Sequence, residues 1–385
     1  MILKNGFVMS EDFNLIQCDL QIEDGKIARI CTNISSLEVS SDPSEDILDM
    51  TGKYILPGFI DSHMHGARGH KISDPNPDLL EITRYEATQG VTSIALSTVC
   101  TEYSLLLRQI DRAVEASKKT RFTKIPAIHA EGPFINKKKK GAMDENSILI
   151  PNILQLDEMI EHSQGLLKII TLAPEMPGSI NTIRHAVNRG LTVSMGHTDA
   201  TYDEAKAAID AGASQSTHTF NAMRALSHRE PGVLGAVLTD SRVYCEMICD
   251  HTHLHPGAIH LIYRAKGAER INIISDSEHG AGIDATEIVV DGEIRYIVDG
   301  VMKMQDGTIA GSASSMLFGI QNLIKDGIPL GDISRMASLN PAKTLKIDDQ
   351  TGSISVGKAA DLVVLTGDYE VDSTYVDGRL VYHHS

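Results

Sequence analysis

The sequence predicts an α/β fold, a (β/α)8 TIM-type barrel with a small β-sandwich domain built from both chain termini. Three observations carry that prediction. Apolar runs of strand length recur at 58–65, 91–98, 125–130, 168–172, 191–196, 214–219, 244–249 and 271–275, and most are separated by segments of helical period. Eight such runs over about 220 residues match a barrel that typically takes about 250. The two ends of the chain hold only short strand-like segments, and neither end alone has enough of them to bury a core. A doubly wound open sheet is the alternative fold, weakened because no G-x-G-x-x-G opens the first unit.

Taken in order, the first fifty residues read as strands at 1–8, 19–23, 26–30 and 47–49, separated by Glu23-Asp24-Gly25 and the polar run 35–45. The barrel is expected over 56–344, flanked by a small domain of residues 1–55 and 345–385. Its first strand ends in His63-Met64-His65, punctuated by Pro57-Gly58 before and Gly66 after. Alternate residues of a strand share a face, so the two histidines point together, at a spacing that suits a metal. One later helix is marked by the capping box Thr201-x-x-Glu204, by Ala205, Ala208 and Ile209 on one face, and by Gly212 past its end. Residues 287–309 read as a strand-rich excursion with a hairpin turn at Asp291-Gly292. The tail repeats the short-strand pattern at 352–357, 360–365 and 373–381, with Asp377-Gly378 as a hairpin turn.

Composition bounds the function. The chain has 385 residues, 42% hydrophobic and 22% charged, as ordinary globular proteins do. A net charge of −16 argues against nucleic acid as a partner. No apolar stretch approaches the roughly 20 residues that span a bilayer, so no membrane is expected and the cytoplasm is the default address. Five cysteines imply no disulfide framework, and Cys245 and Cys249 read as small buried hydrophobes.

Chemistry-bearing residues gather at the strand ends: His63 and His65, His129 and Glu131, His197, His218, His251 and His253, then Asp276. In a barrel these ends converge on the active site. Three or more His/Glu ligands with an open position are the pattern of a catalytic metal site. A separate carboxylate must then carry the proton, and Asp276 is the natural choice. The implied reaction is metal-assisted hydrolysis of an amide, ester or amidine-like bond.

The opening motif, the strand-end ligands and the tail Gly352-Ser353-Ile354-Ser355-Val356-Gly357 resemble the amidohydrolase superfamily. Glu131-Gly132-Pro133-Phe134-Ile135 with Lys139-Lys140-Gly141-Ala142 resembles, more narrowly, the N-acetylglucosamine-6-phosphate deacetylase family. So do Gly196-His197-Thr198-Asp199, His218-Thr219-Phe220-Asn221-Ala222-Met223, Arg229-Glu230-Pro231-Gly232, Ile309-Ala310-Gly311-Ser312 and Asn340-Pro341-Ala342. The resemblance spans nearly the whole chain. It implies Glu131, His197 and His218 as principal metal ligands, His63 and His65 as the pair that completes a second metal site, and Asp276 as the catalytic aspartate. It also implies Asn221, Ala222 and His253 on the sugar, Arg229 on the phosphate, and Ala142, Met143 and Ile309, Ala310, Gly311 and Ser312 around the substrate.

The implied cofactor is one or two divalent cations per subunit, zinc first, with iron, manganese or cobalt also suited to N/O ligands. The implied state is a homodimer in which a neighbouring subunit contributes to the phosphate pocket. Three departures stand out. Met143 occupies a position usually histidine or glutamine, where a polar side chain holds the acyl carbonyl; His251 or His279 could take that part. His251 replaces a usual glycine, and Ser275-Asp276-Ser277 a more typical Thr-Asp-Ala. They keep open a relative acting on N-acetylgalactosamine 6-phosphate or a small N-acyl compound. A non-catalytic binding protein is the third reading, and the retained ligands argue against it. Lys137–Lys140 reads as a solvated loop.

Overall fold

The computed structural model describes residues 1–31, 46–290 and 292–384. The polar run 35–45 and Asp291 of the expected Asp291-Gly292 turn lie outside the described residues. Eight parallel strands pair in sequence order: Phe59–Met64, Val91–Thr98, Lys124–Glu131, Leu167–Leu172, Thr192–Met195, Gln215–Ser216, Tyr244–Ile248 and Ile271–Ile274. The barrel closes where the Asp276 backbone N–H donates to the His63 carbonyl at 2.9 Å. All eight expected strands are present. The sixth is the shortest, because His218 (φ 31°), Phe220 (φ 82°) and Ala222 (φ 50°) leave extended geometry just after it.

Helices cover the barrel with their apolar stripes inward. In Tyr103–Lys119, Leu106, Ile110, Ala113 and Val114 fall on one face and are buried. The Thr201–Glu204 capping box forms in both directions, and Gly212 takes φ +111° two residues past the helix Tyr202–Asp210. Cys245 and Cys249 are both buried. Among the described residues, no helix is long and apolar enough to cross a membrane.

Both termini join one eight-stranded sheet in the order Arg379–His383, Val371–Val376, Leu362–Leu365, Tyr54–Pro57, Ile2–Met9, Leu15–Glu23, Lys26–Cys31, with Ile47–Asp49 beside Ile2–Met9. The turn at Asp377-Gly378 links its last two strands. Residues 352–357, expected to be extended, contain no strand. The single apolar run 54–65 is shared between the two sheets, and the division falls at Gly58. Its N–H donates back to Asp361 O at 2.9 Å, whereas Phe59 N–H donates to Gly90 O inside the barrel at 3.0 Å. Residues after the eighth barrel strand form a separate antiparallel sheet, Glu287–Val290, Glu293–Val298, Val301–Lys303 and Ile309–Ser312, whose last strand returns to the barrel mouth.

Candidate active site

The ends of the first, third, fifth, sixth and eighth barrel strands deliver polar side chains to one point. His63 and His65 leave the first strand on the same face, and Gly66 then turns the chain away. A Cβ at Gly66 would lie 2.1 Å from His70 O, so no larger residue fits that turn. Glu131 closes the third strand, while His197, His218 and Asp276 follow the fifth, sixth and eighth. These last three all adopt left-handed backbone, with φ 47°, 31° and 50°. Left-handed geometry costs an L-residue about 1–2 kcal/mol. Such strain persists where the surroundings over-determine it, as they do at functional sites.

The resulting cluster has two halves that share Glu131. Its Oε1 lies 3.1 Å from His197 Nε2 and 3.0 Å from His218 Nε2, and those two nitrogens are 3.0 Å apart. Its Oε2 lies 3.2 Å from His65 Nε2. Asp276 Oδ1 lies 3.5 Å from His63 Nε2 and 3.4 Å from His65 Nε2. The outward nitrogens are already committed: His197 Nδ1 to Lys139 O at 2.7 Å and His65 Nδ1 to Ser97 O at 2.9 Å. Both then donate outward and turn Nε2 inward, the usual way a protein orients a ligand imidazole. His63 Nε2 is buried without a hydrogen bond.

Two imidazole nitrogens facing each other and a carboxylate cannot all be satisfied by protons. A divalent cation with N/O preference satisfies them, so Glu131, His197 and His218 fit one ion, and His63, His65 and Asp276 fit a second. The electrostatics agree. Burial alone would raise the Glu131 carboxyl, but the His63 charge and hydrogen bonds from His197 and His218 hold it well below the usual carboxylate range. Burial depresses His65, yet Asp276 and Glu131 outweigh that and push it up to about 9. The cluster favours positive charge at its centre.

The cluster forms the floor of a cavity of about 450 Å³. Asn221, Ala222 and His253 line one side, and Gly141, Ala142 and Met143 another. Ile309, Ala310 and Gly311 also line the cavity. Asp250 fixes His253, accepting from its Nδ1 at 2.6 Å. Two expected substrate residues lie apart. Arg229 sits on an exposed loop outside the cavity wall, and Ser312 is buried behind it. His251 pairs with Asp326 at 2.8 Å, and His279 with Asp74 at 2.9 Å, so neither stands beside Met143 as its polar substitute.

Several lining residues carried no sequence signal that was used. Lys71 ion-pairs with Glu278, and both face the cavity. Asp276-x-Glu278 repeats the alternate spacing of His63-x-His65, and that repetition could have found Glu278. Lys137–Lys139 forms a short 3-10 helix rather than an open loop. Its charges stay largely exposed, but its backbone has a use, because Lys139 O is the group that orients His197.

The amidohydrolase family model matches residues 54–381. The chain belongs to the amidohydrolase family. This amidohydrolase is 35% identical to the N-acetylglucosamine-6-phosphate deacetylase of Vibrio furnissii, over 85% of this chain and 83% of that one. It is 32% identical to the N-acetylgalactosamine-6-phosphate deacetylase of Escherichia coli O157:H7, over 98% of both. Among solved structures, the Mycobacterium smegmatis N-acetyl-D-glucosamine-6-phosphate deacetylase superposes with a TM-score of 0.90 at 30% identity, over 99% of each chain. That structure is of an aspartate-to-alanine mutant in complex with N-acetyl-D-glucosamine 6-phosphate.

Proposed function

We propose that this amidohydrolase removes the acetyl group from N-acetylglucosamine 6-phosphate, giving glucosamine 6-phosphate and acetate. The observation that carries the reading is the placement of Asp276. Its carboxylate stands at the edge of the His/Glu cluster and opens onto a cavity with Asn221, Ala222 and His253 on its wall. We assign Glu131, His197 and His218 to a primary cation and His63 and His65, with Asp276, to a second, with zinc as the first choice of metal. Such an ion supplies a Lewis acid at the acyl carbonyl.

The remaining steps belong to the chain's own side chains. Asp276 accepts the proton of the attacking water and returns it to the departing amine. Its carboxyl is held well below the usual range, because His63 and His65 outweigh the effect of burial, so it is ionised and ready as a base. Asn221, Ala222 and His253 hold the sugar, and Ala142, Met143 and the 309–312 segment bound the acyl side. Arg229, exposed and outside the cavity wall, binds phosphate from a second copy of the chain, in a homodimer. A phosphorylated sugar as substrate places the reaction in the cytoplasm. We also divide the chain into a barrel, 59–344, and a small domain of residues 1–58 with 345–385, moving the boundary expected at 55/56 to Gly58, where the hydrogen bonding changes sheet.

A second reading, N-acetylgalactosamine 6-phosphate as substrate, is favoured by the comparable likeness to the Escherichia coli enzyme that carries that name. Acetate release from both N-acetylhexosamines, with and without the 6-phosphate, separates the two. No release from any phosphorylated sugar would overturn both.

A further inference from the structure

Barrel interiors are filled mainly by branched apolar side chains. Glu246, in the middle of the seventh strand, breaks that rule, and it is fully buried. A carboxylate in such a place is costly unless its oxygens are used. Both are. Oε1 accepts from the Gln215 side-chain amide at 2.6 Å. Oε2 accepts from the His218 backbone N–H at 3.0 Å and lies 2.9 Å from His63 Nδ1.

The directions of these bonds follow from their surroundings. The Thr344 hydroxyl donates to Pro341 O, so it accepts from Asn272 Nδ2, which also donates to Gln215 Oε1. Gln215 is thereby turned to present its N–H groups to Glu246. With N–H donors on both oxygens, Glu246 is an acceptor, and the contact with His63 reads Nδ1–H donating to Oε2. His63 Nδ1 is thereby kept protonated, which leaves Nε2, 3.5 Å from both Glu131 Oε1 and Asp276 Oδ1, as the nitrogen that would give up its proton to a cation.

Three acidic or imidazole side chains meet below the floor, His63, His129 and Glu246, and they could be mistaken for a third metal site. His129 excludes that. Its Nε2 lies 2.7 Å from the Thr171 hydroxyl, and its Nδ1 faces Ser62 O at 3.3 Å. Neither nitrogen is free, so Glu246 has one imidazole to serve.

We propose that Glu246 is a positioning residue: it fixes His63 as the Nδ1–H tautomer and thereby creates the cation site of His63, His65 and Asp276. The proposal rests on the cation reading of the cluster. It goes further by naming the residue on which the second ion depends.

The test uses the full chain, stripped with chelator and titrated with zinc against a chromophoric competitor, as wild type, Glu246→Leu and Glu246→Gln. Wild type is expected to take two equivalents. Orienting partners of ligand histidines commonly contribute about 10–100-fold in metal affinity. Glu246→Leu should lose about that much on the second equivalent while the first stays near wild type. Glu246→Gln, whose carbonyl can still accept from Nδ1–H, should recover most of it. Nitrogen-15 spectra of the stripped, histidine-labelled chain give a readout independent of metal, with His63 assigned through His63→Gln. At alkaline pH, where the ring is neutral, they should show a proton on Nδ1 and none on Nε2 in wild type and in Glu246→Gln. If Glu246→Leu does not fold, the wild-type spectrum and the Glu246→Gln titration decide. The proposal is overturned by a wild-type His63 lacking the Nδ1 proton, by a single wild-type equivalent, or by a Glu246→Leu chain that binds the second ion as tightly as wild type. Equal weakening of both equivalents would also overturn it. Zinc binding at neither site in folded wild type would instead strike the cation reading itself.

Discussion

Replacing Asp276 by asparagine isolates the proton-transfer step. The substitution is isosteric, and the backbone at 276 keeps its bonds, N–H to His63 O at 2.9 Å and carbonyl to Ser312 N–H at 3.1 Å. Asparagine also tolerates the left-handed φ of 50° better than most residues. The fold should therefore survive. What is lost is an acceptor for the proton of the attacking water, together with one oxygen of the His63–His65 half of the cluster. A positioned general acid–base contributes about 10²–10⁴-fold in rate. At about 1.36 kcal/mol per factor of ten, that is about 2.7–5.4 kcal/mol of barrier. The expected result is a fall in kcat of at least a hundredfold for acetate release from N-acetylglucosamine 6-phosphate. Metal analysis should still find the ion of Glu131, His197 and His218, since Asp276 is not part of that triad. A variant that keeps more than a tenth of wild-type kcat, with that ion in place, removes Asp276 from its role.

Glu86, fully buried on the helix Leu79–Thr88, has its carboxyl raised well above the ordinary range, first by burial and then by the charge of Asp61. The neutral form is favoured in the folded chain, so stability is fullest below the unfolded-state pKa and declines as pH rises through the folded value. Glu86→Gln should therefore raise Tm at pH 8 and change it little at pH 4.5; a difference independent of pH in scanning calorimetry contradicts this. Arg229→Ala should raise KM for the phosphorylated sugar by about 10–100-fold, the scale of a lost charged hydrogen bond, with kcat little changed. An unaltered KM excludes Arg229 from phosphate binding. Gly311→Ala would place a Cβ 2.2 Å from Glu278 Cγ at a φ of +104°. Overpacking of this kind costs about 1–3 kcal/mol, and displacement of the Glu278–Lys71 wall should lower kcat/KM. Wild-type Tm and kinetics would show that the wall yields freely.

The barrel and most of its floor were legible because both follow a simple period. Alternating strands and helices are marked by runs of apolar residues, and ligands sit where those runs stop. His63, His65, Glu131, His197, His218 and Asp276 all obeyed that rule. Glu246 did not, because it lies inside an apolar run and is explained only by what three other strands bring to it. Lys71 lies on the two-residue strand His70–Lys71, too short to show a period, and Glu278 was marked only by its alternate spacing from Asp276. Tyr54–Pro57 fell outside every strand expected from the sequence, and its pairing with Leu362–Leu365 and Ile2–Met9 is what makes it part of the terminal sheet. The exposure of Arg229 depends on how one loop packs, which no local pattern records.

The division at Gly58 has a mechanical consequence. No linker separates the terminal sheet from the strand that bears His63 and His65; five residues after Gly58, the first ligand is reached. Tyr54–Pro57 is gripped by Leu362–Leu365 on one side and Ile2–Met9 on the other. The ends of the chain thus act as a vice on the near end of that strand, and slack in either jaw would travel along it to the metal ligands. Trimming the last strands or the first should be felt as ligand misalignment before it is felt as unfolding.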